Sequence, residues 1–174
     1  HFGPAAHRLV EPVDKLPAGN LAAPVVDGSR QLLAAPGPEG FAARLRAQQG
    51  GLLVVYFGYT NCPDICPTTM SDLRTALDDL GDGAPRVDVA MVTVDPARDT
   101  GVLTDYVQSF IADAHAIATD DAAALQSVAA PFGVSYEVRT APNGDVEVGH
   151  TSHLFAVDDT GTLVTDEQWG IYFK

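Results

Sequence analysis

The longest uninterrupted apolar run in the chain is Leu52-Leu53-Val54-Val55-Tyr56-Phe57. A strand with one wet face alternates, so an unbroken run of this length predicts a central strand covered on both faces. Val87 to Val94 predicts a second buried strand, ended at Asp95-Pro96 because proline brings no amide hydrogen to a ladder. Between the two, the period changes to helical. Met70, Leu73, Leu77 and Leu80 fall on one face while Asp72, Arg74, Asp78 and Asp79 fall on the other, with Gly81 to Pro85 closing the helix. Two more helices are predicted: Thr100 to Ile111, carried by Val102, Leu103, Tyr106, Val107 and Phe110, and Asp121 to Phe132, carried by Leu125, Val128, Ala129 and Phe132.

The flanks are less regular. Residues 1–23 read as an irregular lead-in without chemistry of its own. Pro24 to Gly28 predicts a short strand ending in a turn, Gln31 to Ala34 a second apolar patch, Pro36 to Gly40 a break, and Phe41 to Gln49 a helix. Toward the other end, Val134 to Val138 and Glu147 to Val157 are strand-like. The second of these turns through Asp158-Asp159-Thr160-Gly161 to pair with Thr162 to Thr165 as a hairpin. Strands alternating with helices and followed by a terminal hairpin predict a three-layer α/β fold, a central β-sheet flanked by helices, over residues 24–174.

Length and charge narrow the partners. A chain of 174 residues buries a sufficient core without disulfide or metal staples, so its two cysteines are free for other work. A net charge of −13 opposes binding to phosphate backbones and to anionic membrane surfaces. No run reaches the roughly 18 apolar residues of a membrane span, and no signal-peptide pattern is present. Because the sequence opens on His1, a processed form that has lost an anchor is the expectation.

Both cysteines lie in Gly58-Tyr59-Thr60-Asn61-Cys62-Pro63-Asp64-Ile65-Cys66-Pro67, directly after the central strand. The residue before a proline is pushed out of the α region, so the helix is expected to begin at Pro67, leaving Cys66 at its N-terminus. The positive end of a helix favours a thiolate there. Two thiols at this spacing can chelate a soft metal or close into a disulfide, and the spacing alone decides neither. Of the five histidines, His1 and His7 are in the lead-in and His115 is in a polar loop. His150 and His153 open one predicted strand and, being three apart, point to opposite faces, so one of them can approach the cysteine loop.

Three blocks together resemble the Sco/SenC family of thioredoxin-like copper chaperones of cytochrome c oxidase assembly. They are the Cys62–Cys66 loop with its Thr-x-Cys-Pro-Asp-x-Cys-Pro pattern, Thr93-Val94-Asp95-Pro96-Ala97-Arg98-Asp99-Thr100, and His150-Thr151 leading to Asp158-Asp159-Thr160-Gly161. The resemblance implies a thioredoxin-like fold, copper as Cu(I) or Cu(II), and Cys62, Cys66 and His150 as its ligands. His153 stays an unassigned neighbour, Asp64 shapes the loop, and Asp95, Arg98 and Asp99 read as a structural turn and ion-pair cluster. Two departures are visible: Gly149 stands where the family often has Asp, and Ala35 to Gly51 lacks the usual Gly-Lys before the central strand.

The same resemblance implies delivery of copper to the dinuclear copper A centre of cytochrome c oxidase subunit II. It further implies contact with another copper chaperone and a thiol reductant, and a membrane-anchored place outside the cytoplasm, such as the bacterial periplasm. The alternative from the residues is a thiol–disulfide oxidoreductase acting through Cys62 and Cys66, which needs the thiols but not His150. Peroxide reduction on the same frame would need a peroxidatic thiol, and no other sequence feature points to one.

Overall fold

The computed structural model describes residues 45–81 and 86–164. The elements expected in 1–40, residues 41–44 of the Phe41–Gln49 helix, residues 82–85 of the closing loop, and Thr165 lie outside the described residues. The elements in chain order are β1 (Leu52–Gly58), α1 (Ile65–Leu80), β2 (Val87–Thr93), α2 (Pro96–Asp99), α3 (Leu103–Phe110), β3 (His115–Ile117), α4 (Ala122–Ala129), β4 (Tyr136–Thr140), β5 (Val146–His150) and β6 (Leu154–Val157).

β1 is the central strand its composition predicts: every residue from Leu52 to Gly58 is buried. It pairs parallel with β2 and antiparallel with β6, β2 pairs parallel with β3, and the sheet order is β3-β2-β1-β6. Successive side chains of β1 leave by opposite faces. Phe57 packs on Phe132 and Phe155, with ring centroids at 5.5 and 6.1 Å, whereas Tyr56 turns toward α1 and the cysteines. With helices flanking this sheet and a turn at Asp158–Gly161 bringing Leu163 back to bridge Val157, the fold is the thioredoxin-like α/β class expected.

Several boundaries shift. α1 begins at Ile65, two residues before Pro67, because proline's missing amide costs nothing in a first turn whose N–H groups have no helical partner anyway. The first helical bond runs from the Thr68 N–H to the Asp64 carbonyl at 3.1 Å. Its buried stripe is Cys66, Met70 and Leu73, with Leu77 packed against the core; Leu80 is exposed, one turn past the edge of the sheet. The expected Thr100–Ile111 helix is the shorter α3, preceded by a separate turn, α2, and the Asp121–Phe132 helix stops at Ala129 before one 3-10 turn over Ala130–Phe132. Asp121 caps α4 by accepting from the N–H groups of Ala123 and Ala124. Residues 45–49 are not helical: Ala47 donates instead to the Asp158 carbonyl at 3.0 Å, which ties the entry of β1 to the turn after β6.

The most consequential difference is in the segment read as one strand from Glu147 to Val157. It is two strands in two sheets. β5 pairs with β4 in a separate two-stranded ribbon, the chain breaks at Thr151–His153, and β6 then joins the central sheet. Among the described residues no helix is long and apolar enough to cross a membrane.

Candidate metal centre

Three elements meet at the end of β1. The loop after the strand carries Cys62, the first turn of α1 carries Cys66, and the last residue of β5 is His150. One ligand atom from each, two sulfurs and a ring nitrogen, lie within 4.8 Å of one another. The His150 Nε2 is 3.5 Å from the Cys66 Sγ. Its other nitrogen, Nδ1, lies 3.0 Å from the Thr151 carbonyl, which can only accept; Nδ1 therefore carries the proton and Nε2 presents a lone pair to the sulfur. This backbone carbonyl orients the ring as an outer-sphere partner would.

The ribbon break explains why His150 reaches the site. Thr151 donates its N–H to the Ser135 carbonyl at 3.0 Å, which finishes the ribbon, and the chain is then free to cross to the central sheet. His153 falls in the crossing segment, is exposed, and lies edge-on to Phe155, away from the thiols. His115 opens β3 instead of occupying a loop, and is likewise outside the group.

The two thiols are not equivalent, and the order is the reverse of the helix-terminus expectation. Cys66 is fully buried, and burial pushes its thiol up to about 11. Burial also works against the Cys62 thiolate, but the backbone N–H groups of Asp64 and Cys66 point at its sulfur and hold it below its ordinary value. The Cys66 N–H donates to Cys62 Sγ at 3.3 Å, while the Asp64 side chain at the formal cap makes no such bond. A sulfur thus caps α1, and the helix terminus favours Cys62, not Cys66, as the thiolate. Both cysteines are free thiols.

Residues taken as a strand-end cluster turn out to hold the loop. Asp99 is fully buried and accepts from the Thr60 N–H at 3.0 Å, the Thr60 hydroxyl at 2.6 Å and the Thr93 hydroxyl at 2.6 Å. Asp95 takes the Arg98 guanidinium as its partner, so Asp99 is bound by neutral donors alone. The carboxylate therefore pins the residue two before Cys62 to the end of β2. Nothing in the sequence signals that reach of 39 residues, since each block is separately complete as a local motif.

Aromatic rings enclose the group. Tyr59 and Tyr56 both stand edge-on to His150, with centroids at 5.6 and 6.2 Å. Burial pushes the Tyr59 phenol up to about 12 and raises Tyr56 further, so both remain O–H donors. A dithiol with one imidazole, Cys66 fully buried and Cys62 slightly less so, is a soft N/S donor set.

An α/β domain of thioredoxin type with two thiols and a remote histidine at the end of its central strand is a dithiol–imidazole protein. Residues 38–168 match the family model described as SCO1/SenC, and the chain belongs to that family. It is 31% identical to an SCO2-like protein of Rickettsia prowazekii over 65% of this chain and 56% of that protein. Among solved structures it resembles apo Sco1 of Thermus thermophilus, with 32% identity, TM-score 0.61, and coverage of 75% of this chain and 76% of that one. It also resembles Bradyrhizobium japonicum ScoI with copper bound, with 30% identity, TM-score 0.58, and coverage of 71% and 77%. The chain spans about half the length of the curated relatives it matches.

Proposed function

We propose that this chain binds copper through Cys62, Cys66 and His150 and passes it to the dinuclear copper centre of cytochrome c oxidase subunit II. The observation that carries the binding step is the mutual approach of the three ligand atoms within 4.8 Å, on elements far apart in sequence. Two sulfurs and one imidazole favour a soft ion, and three ligands leave a position through which a recipient's cysteines can enter. A copper-bound structural relative supports the choice of metal over zinc, which the same donor set would also accept. Transfer then proceeds by exchange of ligands, with Cys62, the more accessible thiolate, as the first to be replaced.

The test is an anaerobic Cu(I) titration of the reduced protein against a competing chelator, repeated with Cys62→Ser, Cys66→Ser and His150→Ala. One copper per chain is expected, with loss of affinity in each variant; wild-type affinity in His150→Ala removes that residue from the site. Mixing the copper-loaded protein with the metal-free copper domain of subunit II tests delivery. Copper retained by the chain refutes it.

The inequality of the thiols favours a second reading, reduction of a target disulfide. The Cys62 thiolate attacks one target sulfur and releases the other as a thiolate. Cys66 then gives its proton to His150 Nε2 and attacks Cys62. This closes the Cys62–Cys66 disulfide and leaves the target as a dithiol, two electrons richer. His150, dispensable for exchange on sequence grounds, has in this geometry a role as the base. Disulfide reduction that persists unchanged in His150→Ala would deny it that role.

A further inference from the structure

Among the described residues, the Tyr56 hydroxyl is one of three buried side-chain polar groups without a hydrogen-bond partner. Leaving a buried hydroxyl unpaired costs about 1–3 kcal/mol, so a donor kept in that condition calls for a reason. Its surroundings supply one. The phenol faces the side chains of Cys66 and Thr69 without closing a bond to either. The Tyr56 ring and the Cys66 sulfur crowd the same point above Gly58, where an added Cβ would lie 2.7 Å from Tyr56 Cε1 and 3.3 Å from Cys66 Sγ. The ring also stands edge-on to His150. One tyrosine thus stands against two of the three groups from the β1 side.

A neutral thiol is a weak acceptor, and the Cys66 hydrogen is directed to His150 Nε2. A metal-bound thiolate is a strong one. We propose that Tyr56 is a positioning residue for the metal centre, its hydroxyl an unspent donor that closes a hydrogen bond to the Cys66 sulfur when that sulfur becomes a metal-bound thiolate. The assignment rests on the copper reading above. The bond would withdraw electron density from the sulfur, weaken its donation to Cu(II) and favour Cu(I). It would also fix the sulfur from behind, so that a recipient's thiols enter at Cys62.

The test compares wild type, Tyr56→Phe and Tyr106→Phe by absorption of the Cu(II)-loaded protein and by chelator competition for Cu(I) and for Cu(II), with thermal unfolding of each metal-free protein. Tyr106 is a suitable control: its hydroxyl is also buried and unpaired, but it has no sulfur among its hydrogen-bonding neighbours. In Tyr56→Phe the thiolate-to-copper charge-transfer band is expected to move to longer wavelength and the affinity for Cu(I) relative to Cu(II) to fall about 10-fold, the scale on which outer-sphere partners of metal ligands act. Copper stoichiometry stays at the wild-type level, and metal-free stability holds or rises, because the substitution removes a buried hydroxyl that had no partner. Tyr106→Phe leaves the band in place. An unmoved band in Tyr56→Phe overturns the inference. A wild-type protein with no thiolate–copper band at all refutes the copper reading itself, and the inference with it.

Discussion

Replacing Asp99 with alanine removes one acceptor from three donors: the Thr60 N–H, the Thr60 hydroxyl and the Thr93 hydroxyl, at 3.0, 2.6 and 2.6 Å. Hydrogen bonds to a charged group contribute about 1.5–3 kcal/mol each, but three that share one acceptor do not add in full. Each buried neutral donor left without its acceptor costs about 1–3 kcal/mol, and with incomplete additivity about 3–5 kcal/mol in all is the expectation here. For a domain of this size each kcal/mol moves the unfolding midpoint by about 2–4 °C, so Asp99→Ala should melt about 6–20 °C below wild type. The assay is thermal unfolding by circular dichroism, with the protein reduced and metal chelated. Asp99→Asn keeps an acceptor of the same shape and should lose roughly half as much. The reasoning extends to chemistry: once Thr60 is released, the backbone N–H groups that cap onto the Cys62 sulfur lose their alignment, and alkylation of Cys62 near neutral pH should slow. A midpoint within about 3 °C of wild type for Asp99→Ala would refute the account of Asp99 as the anchor of the cysteine loop.

Three further outcomes follow from the same geometry. Iodoacetamide near neutral pH should label Cys62 well before Cys66, read by mass spectrometry of the digested protein; equal labelling contradicts the inequality of the thiols. Because the folded-state value of Cys66, about 11, lies above that of an unfolded thiol, the native state holds this proton longer, and stability falls as pH rises from the ordinary thiol range toward 11. Denaturant unfolding across that range should show the fall in wild type and a shallower one in Cys66→Ser. Gly58→Ala puts a methyl 2.7 Å from Tyr56 Cε1 and 3.0 Å from Met91 Cε, and should cost about 1–3 kcal/mol as overpacking, measured by the same denaturation.

The core elements were legible because their signals are local. An unbroken apolar run marks β1, and a 3.6-residue stripe marks α1; neither needs knowledge of what lies opposite. The missed boundaries belong to places where a distant partner decides. Gln48 and its neighbours look helical, yet the segment around Ala47 is drawn out to reach the Asp158 carbonyl. Glu147 to Val157 has strand composition throughout, and only the existence of two sheets, bridged at Thr151–His153, divides it. That division undoes the argument from strand alternation for His150 and His153, since the two histidines do not share a strand. The motif around Cys62 and Cys66 was readable as a site, but which thiol is favoured as a thiolate was not. It depends on Cys66 being in the helix and Cys62 capping it, a matter of two residues in where α1 begins.

The three candidate ligands do not ride on one sheet. Cys62 and Cys66 are fastened to the central sheet through β1 and α1, whereas His150 ends a two-stranded ribbon paired with neither. An ion held by all three would act as a latch across that seam, joining positions 84 residues apart. Holding the latch shut stabilises the closed arrangement in proportion to the logarithm of ligand concentration over its dissociation constant. Losing the ion would remove that tie without breaking any pairing of the central sheet. Uptake and release would then be written in the hydrogen exchange of β4 and β5, with β1 and β2 silent throughout.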